Sequence, residues 1–154
     1  MNGPGWERAL WGVFALSGLF ALAALADLVA VAVVLPKLPA PSTALLDLGQ
    51  RLGTAETVMF YVHAAAAVAW FAYVARDHGA VARTGPAVAW RLGIAVTIAA
   101  TFALPHTGPI GDGRFTERLA WMIPVLAVRL GLVGLLVVAA LGVRRRLSAA
   151  VPAA

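Results

Sequence analysis

Residues 119–143 read LAWMIPVLAVRLGLVGLLVVAALGV, and only one of them, Arg129, is charged. A helix needs about 20 apolar residues to cross the ~30 Å hydrocarbon core of a bilayer. This stretch is long enough, and Arg144-Arg145-Arg146 closes it with a basic flank. Three more stretches of the same kind precede it. The first covers about 9–35 and stops at Pro36-Lys37-Leu38-Pro39-Ala40-Pro41, too rich in proline to continue a helix. The second covers about 56–75 and stops at Arg76-Asp77-His78-Gly79. The third covers about 86–105, with Pro86 suited to a first helical turn and Pro105 as its break. Before the second span, 45–52 is expected as a short interfacial helix, with Thr54 or Thr57 as a cap. The loop 106–113 is dense in turn residues.

Composition agrees with this count. Of the 154 residues, 62% are hydrophobic and 12% charged, against roughly half and a quarter in soluble chains. Four spans with their connections and tails account for the whole chain as one domain, with 147–154 expected as a disordered tail. Short connections make consecutive helices antiparallel neighbours. The expected fold is all-α: an integral membrane up-down-up-down four-helix bundle. Small residues are expected at its contacts, namely Gly12, Gly18, Ala64 to Ala67, Ala69, Gly131 and Gly134.

The net charge of +5 does not signal nucleic acid, because the arginines gather at span ends. There they set topology and face lipid headgroups. One side holds seven basic residues, Arg8, Arg76, Arg83, Arg91 and Arg144 to Arg146. The other holds four, Lys37, Arg51, Arg114 and Arg118, diluted by Asp47, Glu56, Asp112 and Glu117. The excess places both termini in the cytoplasm of a multi-pass cell-membrane protein. Trp6, Trp11 and Trp90 are expected in the inner interfacial belt and Trp121 in the outer one. The chain has no cysteine, which excludes disulfides and thiol redox chemistry.

Three ionisable residues lie inside spans: Asp27, His63 and Arg129. A charge in hydrocarbon costs several kcal/mol unless paired or wetted. Counting from the outer span ends at ~1.5 Å per residue gives depths of roughly 12, 10 and 15 Å. Three helices thus place one ionisable group each at a similar level. If all face inward they meet, and Asp27 with Arg129 is the expected ion pair. Glu56, His63 and Trp70 recur every seven residues on one face of the second span. Thr97 and Thr101 lie on the third, and His106 at its outer end. Pro124 is expected to kink the fourth. The spacing of His63, Glu56, Asp27 and His106 imitates no known metal-ligand pattern, and the two outer histidines differ in depth; no cofactor is expected.

The order of features resembles the anthrone oxygenase-like family of small four-span membrane proteins. The residues that carry the likeness are Val33-Val34-Leu35-Pro36 with Leu38-Pro39, the loop Thr107-Gly108-Pro109-Ile110-Gly111, and Trp121 followed by Arg129. The family's loop asparagines and the polar residue between tryptophan and arginine are absent here. The resemblance implies a monooxygenase of polyketide biosynthesis, an oxidoreductase that oxidises a lipophilic polycyclic phenol with O2 and no evident cofactor. Under it His63 is the base, Arg129 stabilises an anion and Asp27 orients one of them. Glu56, Tyr61, Trp70, Thr101, His106 and Trp121 are expected to line the substrate. Two other classes fit the residues as well: a non-catalytic accessory or scaffold protein with a buried ion pair, and a small transporter. A homo-oligomer is compatible with each.

Overall fold

The computed structural model describes residues 5–34, 43–79, 84–103 and 115–150, with the side chains at 31, 34, 45, 46, 100–103, 115–122 and 150 left undescribed. The proline-rich segment after the first span and the 106–113 loop therefore lie outside the described residues. Four helices make up the rest: α1 (Gly5–Val29), α2 (Thr43–His78), α3 (Gly85–Ala103) and α4 (Phe115–Ala150). Three are long and apolar enough to cross a membrane, and α3 is a shorter apolar helix beside them. The protein is an all-α, membrane-embedded four-helix bundle.

Side-chain contacts fix the topology. The Trp70 indole Nε1 donates to the Trp6 carbonyl at 3.0 Å, and Phe20 stacks on His63 with centroids 4.7 Å apart. Asp27 lies against Gly53. These pairs run in opposite senses, so α1 and α2 are antiparallel. Arg144 Nη2 donates to Glu7 Oε1 at 2.7 Å, bringing the end of α4 to the start of α1. Phe71 packs on Trp90 at 5.5 Å, which brings the start of α3 to the same end. The bundle is therefore up-down-up-down, with a Trp6 end and an Asp27 end.

Local sequence explains most boundaries. The last turn of the first span, Ala30–Val34, is a π-helical turn. It precedes Pro36, whose ring and missing N–H interrupt the α ladder. Helix α2 ends at Gly79, the one positive φ among the described residues, at 57°; a left-handed residue there suits glycine. Thr84 starts α3: its Oγ1 accepts the Ala87 N–H at 3.2 Å, and its carbonyl accepts the Val88 N–H at 3.1 Å.

Several expectations are corrected. The separate interfacial helix at 45–52 does not exist; α2 is continuous from Thr43. Gly49 and Gly53 cost a helix only ~1 kcal/mol each, too little to break it among the good helix formers around them. Thr54 accordingly does not cap: its hydroxyl donates to the Gln50 carbonyl four residues back at 2.9 Å. Thr57 turns to Glu56 Oε2 at 3.2 Å. Helix α4 continues through Pro124 and on to Ala150, and Leu147, assigned to a disordered tail, is buried. Trp90 is fully buried rather than interfacial.

Between helices in lipid, close packing replaces the hydrophobic drive that holds soluble cores together. The shared core includes Phe20, Phe60, Ala67, Phe71, Val74, Trp90, Leu136 and Val143. The close glycine is not one of those expected. A Cβ added at Gly12, Gly18, Gly131 or Gly134 meets nothing within 4 Å, whereas one at Gly93 comes 2.5 Å from Leu132 Cδ2. Of the alanines, Ala64 and Ala67 are buried, while Ala65 and Ala69 are exposed. The α3–α4 contact thus depends on a missing side chain at 93. Gly93→Val is expected to cost about 1–3 kcal/mol by overpacking. Gly131→Ala should be neutral or slightly stabilising, since alanine is the better helix former. Thermal melts of both variants in detergent test the contrast.

Candidate functional site

The buried polar residues of the bundle concentrate toward the Asp27 end. Helix α2 supplies two through its core face, which carries Glu56, Phe60, His63, Ala67, Trp70, Phe71 and Val74. The spacing of three and four residues is that of a single helix face. Helix α1 brings Ser17, Phe20 and Asp27 to it, and α4 brings Arg129. Asp27 and His63 are at most 1% exposed, Glu56 3% and Arg129 5%.

Arg129 Nη1 donates to Glu56 Oε2 at 2.6 Å, and both side chains are more than nine-tenths buried. This pair joins α2 to α4. Glu56, assigned to the substrate lining, is thus an ion-pair partner of Arg129. Glu56 lies one helical turn from Gly53, the residue against which the Asp27 carboxylate rests. The two acids therefore sit at neighbouring levels, and Glu56 is in bonding range of the guanidinium. Thr57 Oγ1 adds a second hydrogen bond to the same Glu56 oxygen.

Aromatic rings carry the arrangement inward. The Arg129 Cζ lies 4.5 Å from the Phe60 ring centroid, a cation–π distance that holds a guanidinium well where water is excluded. Phe60 meets His63 edge-on at 5.4 Å, and His63 stacks on Phe20 at 4.7 Å with an interplanar angle of 8°. The imidazole is thus clamped between α1 and α2. Its Nδ1 faces the Met59 carbonyl at 3.4 Å. Among the described residues, neither His63 Nε2 nor Glu56 Oε1 has a hydrogen-bond partner, although both are buried. With the proton on Nδ1 toward Met59, Nε2 is a bare acceptor in an aromatic enclosure.

Other expected site residues fall elsewhere. Trp70 is committed to the Trp6 carbonyl and packs on Phe71 at 5.0 Å. It sits toward the Trp6 end, roughly 10 Å along α2 from His63. Tyr61 is half-buried, edge-on to Phe60 at 5.5 Å. The side chains of Thr101 and Trp121, and all of His106, lie outside the described residues. Thr97, one turn before Thr101, is buried and donates to the Gly93 carbonyl at 2.8 Å. Gly93 faces Leu132, so antiparallel register brings Thr97 level with Arg129. Among the described residues, no three His, Cys, Asp or Glu side chains gather into a metal-binding group.

Sequence reasoning placed Glu56 at a helix start and so outside the hydrocarbon. The signal that could have moved it inward was the absence of any strong breaker between Thr43 and Glu56. No family model, curated protein or solved structure matches the chain.

Breaking one side of a buried pair leaves the other charge uncompensated, at about 3–5 kcal/mol. Arg129→Gln and Glu56→Gln are each expected to lower stability by that order. The double variant should recover most of the loss, which a double-mutant cycle of melts in detergent would read directly. Simple additivity of the two losses would mean that the pair is not energetically coupled.

Proposed function

We propose that the protein is a membrane-embedded enzyme acting on a lipophilic small molecule, and that its reaction is the O2-dependent oxidation of a polycyclic phenol or anthrone. The observation that carries this reading is the buried imidazole with a bare Nε2, one aromatic ring away from a paired guanidinium. The family resemblance of the sequence supplies the reaction type.

In this reading a substrate enters from the lipid and meets His63, whose free pKa is near neutrality and whose Nε2 can take a proton. The resulting oxyanion delocalises into the ring system. Arg129 lends positive charge that costs no reorganisation, because Glu56 and Phe60 already hold it in place. The electron-rich anion then passes electrons to O2. For an anthrone the balance closes without another reductant. The ring CH2 loses two hydrogens and gains one oxygen as a carbonyl; the second oxygen leaves with those hydrogens as water. Asp27, on α1 at the neighbouring level, orients the arrangement. The protein sits in the cell membrane with both termini cytoplasmic and the Asp27 end toward the outside, in keeping with its distribution of basic residues.

A second reading has its own support. The Glu56–Arg129 bond ties α2 to α4, so the polar cluster also suits a non-catalytic accessory or scaffold protein whose ion pair sets helix register.

The two readings part on turnover. Purified protein in detergent, given 1,8-dihydroxyanthrone and air, is expected to consume O2 and form the anthraquinone chromophore faster than buffer. His63→Ala should lower that rate by about 100-fold or more, assayed below its melting temperature because the buried ring it removes also lowers stability. Turnover unchanged in His63→Ala would remove the histidine from the chemistry. No turnover by the native chain would leave the scaffold reading.

A further inference from the structure

The Trp6 end holds a second polar assembly, unlike the first in being open to its surroundings. Arg144 donates to Glu7 and its Cζ lies 5.9 Å from the Trp11 ring. Its side chain is 40% exposed, so the guanidinium is shared between a protein carboxylate and the exterior. Trp11 is 56% exposed. Arg8, three residues before Trp11 and so on the same face of α1, is exposed, as are Arg145 and Arg146 on α4. Arg76 on α2 is exposed nearby, with Asp77 at 3.7 Å.

The level of this corner in the membrane can be read from the lipid-facing side chains. On α1 the exposed apolar residues run from Trp11 through Leu19, Leu22, Leu25 and Val29 to Val33. Those 22 steps cover ~33 Å at 1.5 Å each, the thickness of a hydrocarbon core. On α4 the large exposed apolar side chains end at Leu141, one turn before Arg144. On α2 they end at Tyr73, one turn before Arg76. Three helices change from apolar to arginine at one level, which is that of the phosphate groups. The opposite end offers no counterpart among the described residues: Arg51 there is matched by Asp47 at 2.9 Å.

We propose that the corner formed by Arg8 and Trp11 of α1 with Arg144 and Arg145 of α4 seats the phosphate of an anionic phospholipid. Guanidinium groups suit phosphate oxygens in number and geometry, and an exposed indole suits the glycerol and upper acyl region. Glu7 keeps Arg144 oriented while one face of it stays outward. Such a lipid bridges the start of α1 to the end of α4, and so reinforces a contact that the chain makes with one ion pair. The inference is independent of the reaction assigned to the Asp27 end.

Reconstitution of the full chain in nanodiscs tests it. With phosphatidylcholine alone as reference, including about a third phosphatidylglycerol is expected to raise Tm by about 3 °C or more. High salt should shrink the rise. Arg8→Gln/Arg145→Gln, both at exposed positions, should melt like the native chain in pure phosphatidylcholine and lose most of the rise. Arg51→Gln, at the other end, should keep it. The proposal is overturned if the native chain shows no rise or if the double variant keeps it in full. A matching loss in Arg51→Gln would also overturn it, by showing that the effect follows net charge rather than this corner.

Discussion

The Asp27 half of this bundle depends on one ion pair that cannot be solvated where it lies. Glu56 and Arg129 meet at 2.6 Å within helices whose outer surfaces face lipid. Either charge alone would face a penalty of several kcal/mol, so the two helices are constrained to bring both together. Once they do, the register of α2 against α4 is set, and with it the height of Phe60 and His63. Van der Waals packing between alanine- and valine-rich surfaces could not do this by itself. Such surfaces slide by a turn at little cost, and apolar residues are spread so evenly around α4 that its composition leaves its facing weakly specified.

Much of the fold was legible because hydrocarbon imposes a length rule. Runs of about 20 apolar residues bounded by prolines, glycines and arginines identify four helices without reference to how they pack. What was not legible is of a different kind. Whether α2 starts at Thr43 or near Glu56 depends on the balance between two glycines, Gly49 and Gly53, and the good helix formers around them, and the 45–52 segment resembles an interfacial helix until its continuity is seen. That single misplacement also hid the Glu56 contact: an acid at a span start reads as solvated, and only the continuity of α2 carries it beside Arg129. The glycines were misread for a related reason. A small residue marks a close contact only on the inward face, and Gly131 and Gly134 do not line one although Gly93 does. Trp90 shows the same limit, since a tryptophan near a span end reads as belt until its ring is found against Phe71.

The inward order of the site has a physical logic. Charge is greatest at the Glu56–Arg129 pair, is met next by the quadrupole of Phe60, and reaches an imidazole between two phenyl rings. A guanidinium over a ring face is held without needing further hydrogen bonds. A histidine stacked on one ring and edge-on to another is held without using Nε2. Both groups are therefore fixed in position, and among the described residues His63 Nε2 has no hydrogen-bond partner. That is the arrangement expected of a binding or reacting site, whereas a group whose role is only to fill the core would spend its polar atoms on neighbours, as Ser17 does on the Val13 carbonyl at 2.9 Å and Trp70 on that of Trp6.

The contrast between the two ends sharpens this point. At the Trp6 end, α1 is held by an indole-to-carbonyl bond, an ion pair and a cation–π contact, and the arginines face outward. At the Asp27 end, α1 loosens into a π-helical turn directly after its buried acid. Such turns widen the helix and leave backbone carbonyls less regularly paired, a feature often found at functional sites. A bundle pinned at one end and relaxed at the other can admit a lipid-soluble molecule between its helices without losing its register, because the charged pair and the clamp below it carry the alignment. The distribution of order along the helices, more than any single residue, sets the Asp27 end apart from the Trp6 end.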